Sequence, residues 1–359
     1  MKFGLFFQHA VLKPWDERSE QRVLEQAVEQ VVLADELGFD QAWQVEHHFL
    51  EEYSHGSAPE VFLAYCAAKT SRIRLGHGIA LTLPAINHPA RMAERAATLD
   101  ILSGGRLEFG TGRAATWTEL GGFGCDPDDT REMWEESVRA VAKMWTSDEF
   151  GWEGRHFSMP PRNVLPKPLQ KPHPPLWVAV QSPETATLAG RLGLGMLGVS
   201  LGDPRAYGEL VDGYRHAVRD AEPIGAAVNE QANAVAFMHC GEDDAEARAL
   251  GAMAAAQFRV RASHVVSVAS VYPSPAYRSH SLAAPLRERP GDVAGTVNEG
   301  TPIGDPRACI RALKRWEEAG VDRLLFLVNT GETIRQRLVL DSLHLFAREV
   351  MPAFESAGS

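Results

Sequence analysis

The sequence predicts an α/β protein built as one (β/α)8 TIM barrel, with residues 1–359 forming a single domain. Three observations predict it. Eight short apolar segments alternate with amphipathic helical segments, and parallel strands need such helical crossovers. The chain has 359 residues, of which 45% are hydrophobic, enough for one large core. The alternation also persists over most of the chain, which fits closure into a barrel better than an open doubly wound sheet, the competing arrangement.

The elements follow in order. Residues 3–7 form a first buried strand, and in 18–36 Leu24, Ala27, Val28, Val31 and Val32 share one helical face. Gly38 suits the helix exit, because glycine enters the left-handed region without a Cβ penalty. Residues 39–45 read as strand two and deliver Glu46, His47 and His48 to a loop. A helix near 59–69 leads to strand three at 73–80. Asn87 caps a helix with Pro89 in its first turn, and 107–110 supply strand four. A helix near 128–146 carries Met133, Val138, Val141, Met144 and Trp145. Residues 149–175, rich in glycine, aromatics and proline, predict a hairpin or surface crossover before strand five at 176–180. Ser182 and Pro183 then form a cap and first turn, as do Asp203 and Pro204 after strand six at 196–199. Strand seven spans 232–239 and its helix about 243–260. Asp305 and Pro306 start a further helix, 321–328 form strand eight, and 332–347 close the chain. The segment 261–304 is too long for an ordinary barrel loop. It reads as a lid inserted over the C-terminal face, with a surface insertion of no catalytic duty as the alternative.

Composition narrows the function. The net charge of -11, from 47 acidic and 36 basic side chains, argues against nucleic acid as a partner. Cys66, Cys125, Cys240 and Cys309 are scattered and form neither a disulfide framework nor a CxxC site. No run of 18 apolar residues occurs, so no membrane span is expected, and the N-terminus reads as a strand rather than a signal peptide. A cytoplasmic enzyme is the expectation.

A barrel's chemistry gathers at the C-terminal ends of its strands. That rule selects Gln8 and His9, Glu46 to His48, residues 77–82, Thr111 to Arg113, residues 181–185, Ser200, Asn329 and Thr330. Of these, His47 and His48 are suited to proton exchange near neutral pH; capping strand ends or pairing with Glu46 is the bland alternative. A zinc set of His9, Glu46, His47 and His77 matches no short metal motif, so no metal is expected. Two stretches suit a phosphate. Gly110-Thr111-Gly112-Arg113 offers backbone amides beside a guanidinium, and Gln181, Ser182 and Thr185 stand at a helix N-terminus. Ordinary helix capping is the alternative for each. No GxSxG elbow and no full GxGxxG fingerprint is present.

The same residues carry a resemblance. MKFG at 1–4, GFDQAWQVEHHF at 38–49, Leu83-Pro84, HPAR at 88–91, Leu99-Asp100, SGGRLEFGTGR at 103–113, QSPET at 181–185 and GDP at 304–306 resemble the bacterial luciferase-like flavin-dependent monooxygenases. The resemblance implies a luciferase-type (β/α)8 barrel that uses reduced FMN and O2, through a C4a-peroxyflavin, to oxygenate a small organic substrate such as an aldehyde. It implies a separate NAD(P)H-dependent flavin reductase and a homodimer. It maps the catalytic histidine onto His47 with His48 in support, the phosphate grip onto Gly112, Arg113, Gln181, Ser182 and Thr185, and the strand-three bend onto Gly78 and Ile79, where the resemblance allows a non-proline cis bond without requiring it. Bacterial luciferase has a reactive cysteine where this chain has Gly112, which weakens any expectation of light emission. A deazaflavin-dependent oxidoreductase and a flavin-binding protein without turnover are the rival readings.

Overall fold

Eight parallel strands close into a ring in the computed structural model, which describes residues 1–199, 203–266, 268–272, 274, 277, 297–329 and 332–355. In chain order the elements are β1 (Lys2–Phe7), α1 (Ser19–Leu37), β2 (Gln41–Gln44), α2 (Pro59–Lys69), β3 (Arg74–His77), β4 (Ala80–Leu81), α3 (Pro89–Leu102) and β5 (Leu107–Gly112). Next come α4 (Trp117–Gly122), α5 (Thr130–Thr146), β6 (Phe150–Glu153), β7 (Ser158–Arg162), β8 (Leu176–Val180), α6 (Pro183–Arg191), β9 (Gly195–Val199) and α7 (Pro204–Ala217). The last third holds β10 (Ala232–Phe237), β11 (His239–Cys240), α8 (Asp244–His264), α9 (Val268–Val271), β12 (Ile303–Gly304), α10 (Pro306–Glu318), β13 (Arg323–Leu327) and α11 (Gln336–Glu349). Around the ring the order is β1-β2-β3-β5-β8-β9-β10-β13, and β13 pairs back onto β1 with Lys2 opposite Arg323. The barrel is therefore closed, and the open-sheet alternative is ruled out.

Most expected elements stand within a few residues of their sequence positions. Three differ for tertiary reasons. Strand three breaks into β3 and β4 at Gly78 and Ile79, which are joined by a cis peptide bond. Beyond the bend, the Leu81 N–H donates to the Glu46 carboxylate at 2.8 Å, so a side chain from the neighbouring strand fixes the break. Strand seven likewise divides: β11 leaves the barrel and pairs with β12, His239 opposite Ile303. Helix α8 continues to His264 because Phe258 and Ala262 remain buried along its last turns. The segment expected as an insertion therefore loses 261–264 to a helix and 303–304 to a strand. Its stretch 278–296 lies outside the described residues, as do Ser200 and Thr330. Residues 149–175 do contain a hairpin, β6 paired antiparallel with β7.

Two apolar layers make the core. The outer one lies between the strands and the helices, with Leu5, Leu63, Leu75, Phe109, Phe326 and Phe346 among its members. The inner one fills the barrel with Phe6, Trp43, Trp177, Leu197, Val235 and Leu325. Trp43 and Trp177 meet edge to face at 5.4 Å. Glycine makes room for both: a Cβ on Gly76 would stand 2.1 Å from the Trp43 ring, and one on Gly195 would stand 2.4 Å from Trp177. The indoles thus plug the barrel below its C-terminal mouth, leaving the space above them as the cavity.

Candidate active site

The cavity at the mouth is lined by Phe6, Gln8, Val45, Glu46, His47 and Tyr53 on the β1–β2 side. Gly78, Ile79, Gly112, Arg113, Gln181 and Thr185 line it on the β3–β8 side, with Val199 from the neighbouring β9 and Ala262 and Val265 from the end of α8. It thus gathers most of the residues singled out in the sequence. His48 and Ser182 are not part of its lining. His48 turns to Glu46, 3.1 Å from its carboxylate, and packs edge to face on Phe123. Ser182 is buried as the N-cap of α6, accepting the Thr185 N–H at 3.3 Å, and so positions Thr185.

His47 stands at the end of β2 with Nδ1 3.0 Å from Glu119. Glu119 is fully buried, yet its carboxylate also accepts the His48 N–H at 3.1 Å and the Thr116 hydroxyl at 2.6 Å. Burial pushes the Glu119 carboxyl up, but the His47 ring with these hydrogen bonds outweighs it and holds the group below the usual carboxylate range. An ionised carboxylate only accepts, so Nδ1 carries a proton, and in the neutral ring Nε2 holds the lone pair. Sequence reasoning missed Glu119, although the signal was there. Thr116-Trp117-Thr118-Glu119 is a capping-box pattern, and Thr116 does cap α4 by accepting the Glu119 N–H at 3.1 Å.

The two stretches expected to hold a phosphate come from neighbouring strands, β5 and β8. Gly112 lets the Ile79 side chain pack closely against the strand, since a Cβ there would stand 2.5 Å from it. The Arg113 guanidinium donates to Thr130 at 3.2 Å and lies over the Tyr277 ring, 4.5 Å from its centre. Burial draws the Arg113 pKa down, and Arg131 adds to the effect. Half-buried Arg113 and exposed Arg131 line the same cavity as Gln181 and Thr185, and two guanidiniums beside a helix start suit an anion. Arg131 and Trp134, both lining residues on α5, were also missed, because helix periodicity says nothing of which helix start reaches the mouth.

The residues of the zinc reading are engaged separately. Glu46 takes the Leu81 N–H and the Asn87 amide, at 2.8 and 2.7 Å. His77 is buried against Phe109, and His9 stacks on Phe7. Among the described residues the groups within ligating distance of one another are Asp129, Glu132 and His156, at the start of α5 and the hairpin, where Arg155 already pairs with both carboxylates. No helix among the described residues is long and apolar enough to cross a membrane.

The family model for luciferase-like monooxygenases matches residues 1–323. The oxygenase component of a flavin-dependent trigonelline monooxygenase from Acinetobacter baylyi is 26% identical over 366 residues, 99% of this chain and 96% of the relative. The crystal structure of the monooxygenase RslO1 from Streptomyces bottropensis superposes with a TM-score of 0.80 at 29% identity, covering 99% of this chain and all of that one. The oxygenating constituent of 3,6-diketocamphane monooxygenase from Pseudomonas putida, solved with FMN, shares the fold at a TM-score of 0.77 and 20% identity over 98% of each chain.

Proposed function

The chain belongs to the luciferase-like monooxygenase family, and on that premise we propose that it binds reduced FMN and oxygenates a small organic substrate as the oxygenase half of a two-component system. The observation that carries the reading is the meeting, in one cavity, of Arg113 and Gly112 with a histidine held by a buried carboxylate. Arg113, Arg131, Gln181 and Thr185 would hold the phosphate, with Ser182 fixing Thr185, and Gly78, Ile79 and Gly112 would bound the ring. When bound, reduced FMN supplies the electrons that activate O2 for transfer of one oxygen atom. His47 is the proton-transfer residue, acting at Nε2 while Glu119 keeps the proton on Nδ1. His48 positions Glu46 rather than touching the ligand. Ala262 and Val265 close the apolar wall that keeps water out, and the Val266 carbonyl, accepting from Trp117 at 2.8 Å, ties the start of the inserted segment across the mouth. That contact supports a lid. The apolar walls admit an aldehyde among other small organics.

The test supplies purified protein with chemically reduced FMN, O2 and a substrate panel, and reads product mass. A gain of one oxygen atom is expected. His47→Ala should reduce product formation by at least tenfold while the Kd for reduced FMN changes less than threefold; equal yield at substrate saturation would remove His47 from that role. Turnover with reduced deazaflavin and none with reduced FMN would favour the hydride-transfer reading instead. The oxygenase-component relative supports a separate flavin reductase. An apolar groove along α1 and α2, with Leu24, Val61 and Tyr65 exposed, supports a homodimer, which light scattering would register as twice the chain mass.

A further inference from the structure

One buried polar atom in the cavity lining has no hydrogen-bond partner among the described residues. Gln8, at the end of β1 and only 8% exposed, donates from Nε2 to the Tyr53 hydroxyl at 3.2 Å. Its Oε1 is buried with no hydrogen-bond partner among the described residues. A buried amide oxygen without a partner costs about 1–3 kcal/mol, so such a group points to an absent ligand or water. The pair is rigidly set: the Ser54 hydroxyl donates to the Gln8 carbonyl at 2.6 Å, and His55 N–H donates to the His9 carbonyl at 2.9 Å. Burial also pushes the Tyr53 phenol up to about 12, so it keeps its proton across the working range.

Tyr53 already accepts from Gln8, so its own O–H remains available, beside the open Oε1. Both residues line the cavity, so the pair sets one donor and one acceptor side by side in its wall. Reversing the Gln8 amide changes which residue supplies which, but leaves one of each. The neighbouring walls are apolar: Phe6, Val45, Val199, Ala262 and Val265. Around the ring β1 lies four strands from β8, so the pair sits opposite the side expected to hold a phosphate. It also adjoins the proton-transfer residue, with the Tyr53 ring 5.6 Å from that of His47.

We infer that Gln8 and Tyr53 form the specificity site for a hydroxyl group, an alcohol or phenol, on an otherwise apolar substrate. One hydroxyl group answers both at once, its O–H donating to the Gln8 oxygen and its oxygen accepting from the Tyr53 O–H. An aldehyde, ketone or ether only accepts, and would leave the Gln8 oxygen buried and unpaired. Sites built to bond a hydroxyl reject analogues that lack it far more strongly than apolar pockets reject a missing methylene. The inference rests on the reading that this cavity takes FMN and the organic substrate together.

The test measures binding of 4-methylphenol, 4-methylanisole and 4-methylbenzaldehyde to the FMN-loaded protein by calorimetry, for wild type, Gln8→Leu and the near-isosteric Tyr53→Phe. The phenol should bind the wild type at least tenfold more tightly than the ether or the aldehyde. Either substitution should shrink that preference to about twofold, with the Kd for FMN unchanged. Equal binding of the three probes to the wild type would overturn the inference. So would a tenfold loss of FMN affinity in both variants, which would give the pair to the flavin. Failure of the protein to bind FMN at all would strike the underlying reading, whereas FMN binding without hydroxyl preference strikes only this one.

Discussion

The His47 imidazole takes its orientation from a carboxylate 72 residues further along the chain. Glu119 enforces one tautomer only while it is ionised, because a carboxylate accepts and never donates. Glu119→Gln keeps the shape but lets the amide donate or accept, so the tautomer is no longer fixed. Product formation at saturating substrate should fall about 10–100-fold, with reduced-FMN affinity within threefold of wild type. Rapid-mixing product assays beside flavin titrations separate the two; parallel losses would make Glu119 a purely structural group. At this scale the motif GFDQAWQVEHHF pointed to His47, but its spacing could not name the partner, since that partner arrives on a different βα loop.

Among the elements, the junction of α1 with β3 shows how tertiary bonding overrides local preference. Asp35 sits in the last turn of α1, where the helix dipole disfavours an acid. Its carboxylate instead accepts the backbone N–H groups of Ser71, Arg72 and Ile73 at 2.9, 2.8 and 2.6 Å, tying the helix to the entry of β3. Asp35→Ala leaves these donors unpaired and should destabilise the protein by about 2–4 kcal/mol, read as a lower urea midpoint with an unchanged slope. A shift under 0.5 kcal/mol would mean that water replaces the carboxylate without cost. The amphipathic period of α1 and the exit at Gly38 were legible in the sequence. The bend between β3 and β4 was only partly so, because Glu46 holds it from the neighbouring strand.

For the whole molecule, acid sensitivity should come from buried imidazoles. Burial lowers the pKa of His9 to about 4 and draws those of His77, His173 and His239 below the ordinary value of 6.5. Each stays neutral in the fold while the unfolded chain takes up a proton. Stability is therefore full above pH 6.5 and falls as the pH drops from there toward 4. His9 alone accounts for about 3 kcal/mol at the bottom of that window. Urea unfolding at pH 7.5, 6, 5 and 4 should show this decline, and His9→Gln should reduce its slope. A flat profile in both proteins would contradict the burial of these rings.

The sequence by itself determined an α/β chain of eight repeating units, the order of its elements, and the strands whose ends hold His47, Gly112, Arg113 and Gln181. It could do so because strand and helix periods, caps and glycine exits are local properties of the chain. The tertiary structure decided which side chains meet. It turned His48 and Ser182 away from the cavity, brought Glu119 to His47 and Arg131 beside Arg113, and left the Gln8 oxygen open next to Tyr53. Those pairings depend on barrel closure, which joins loops far apart in the chain, and no local period encodes that distance.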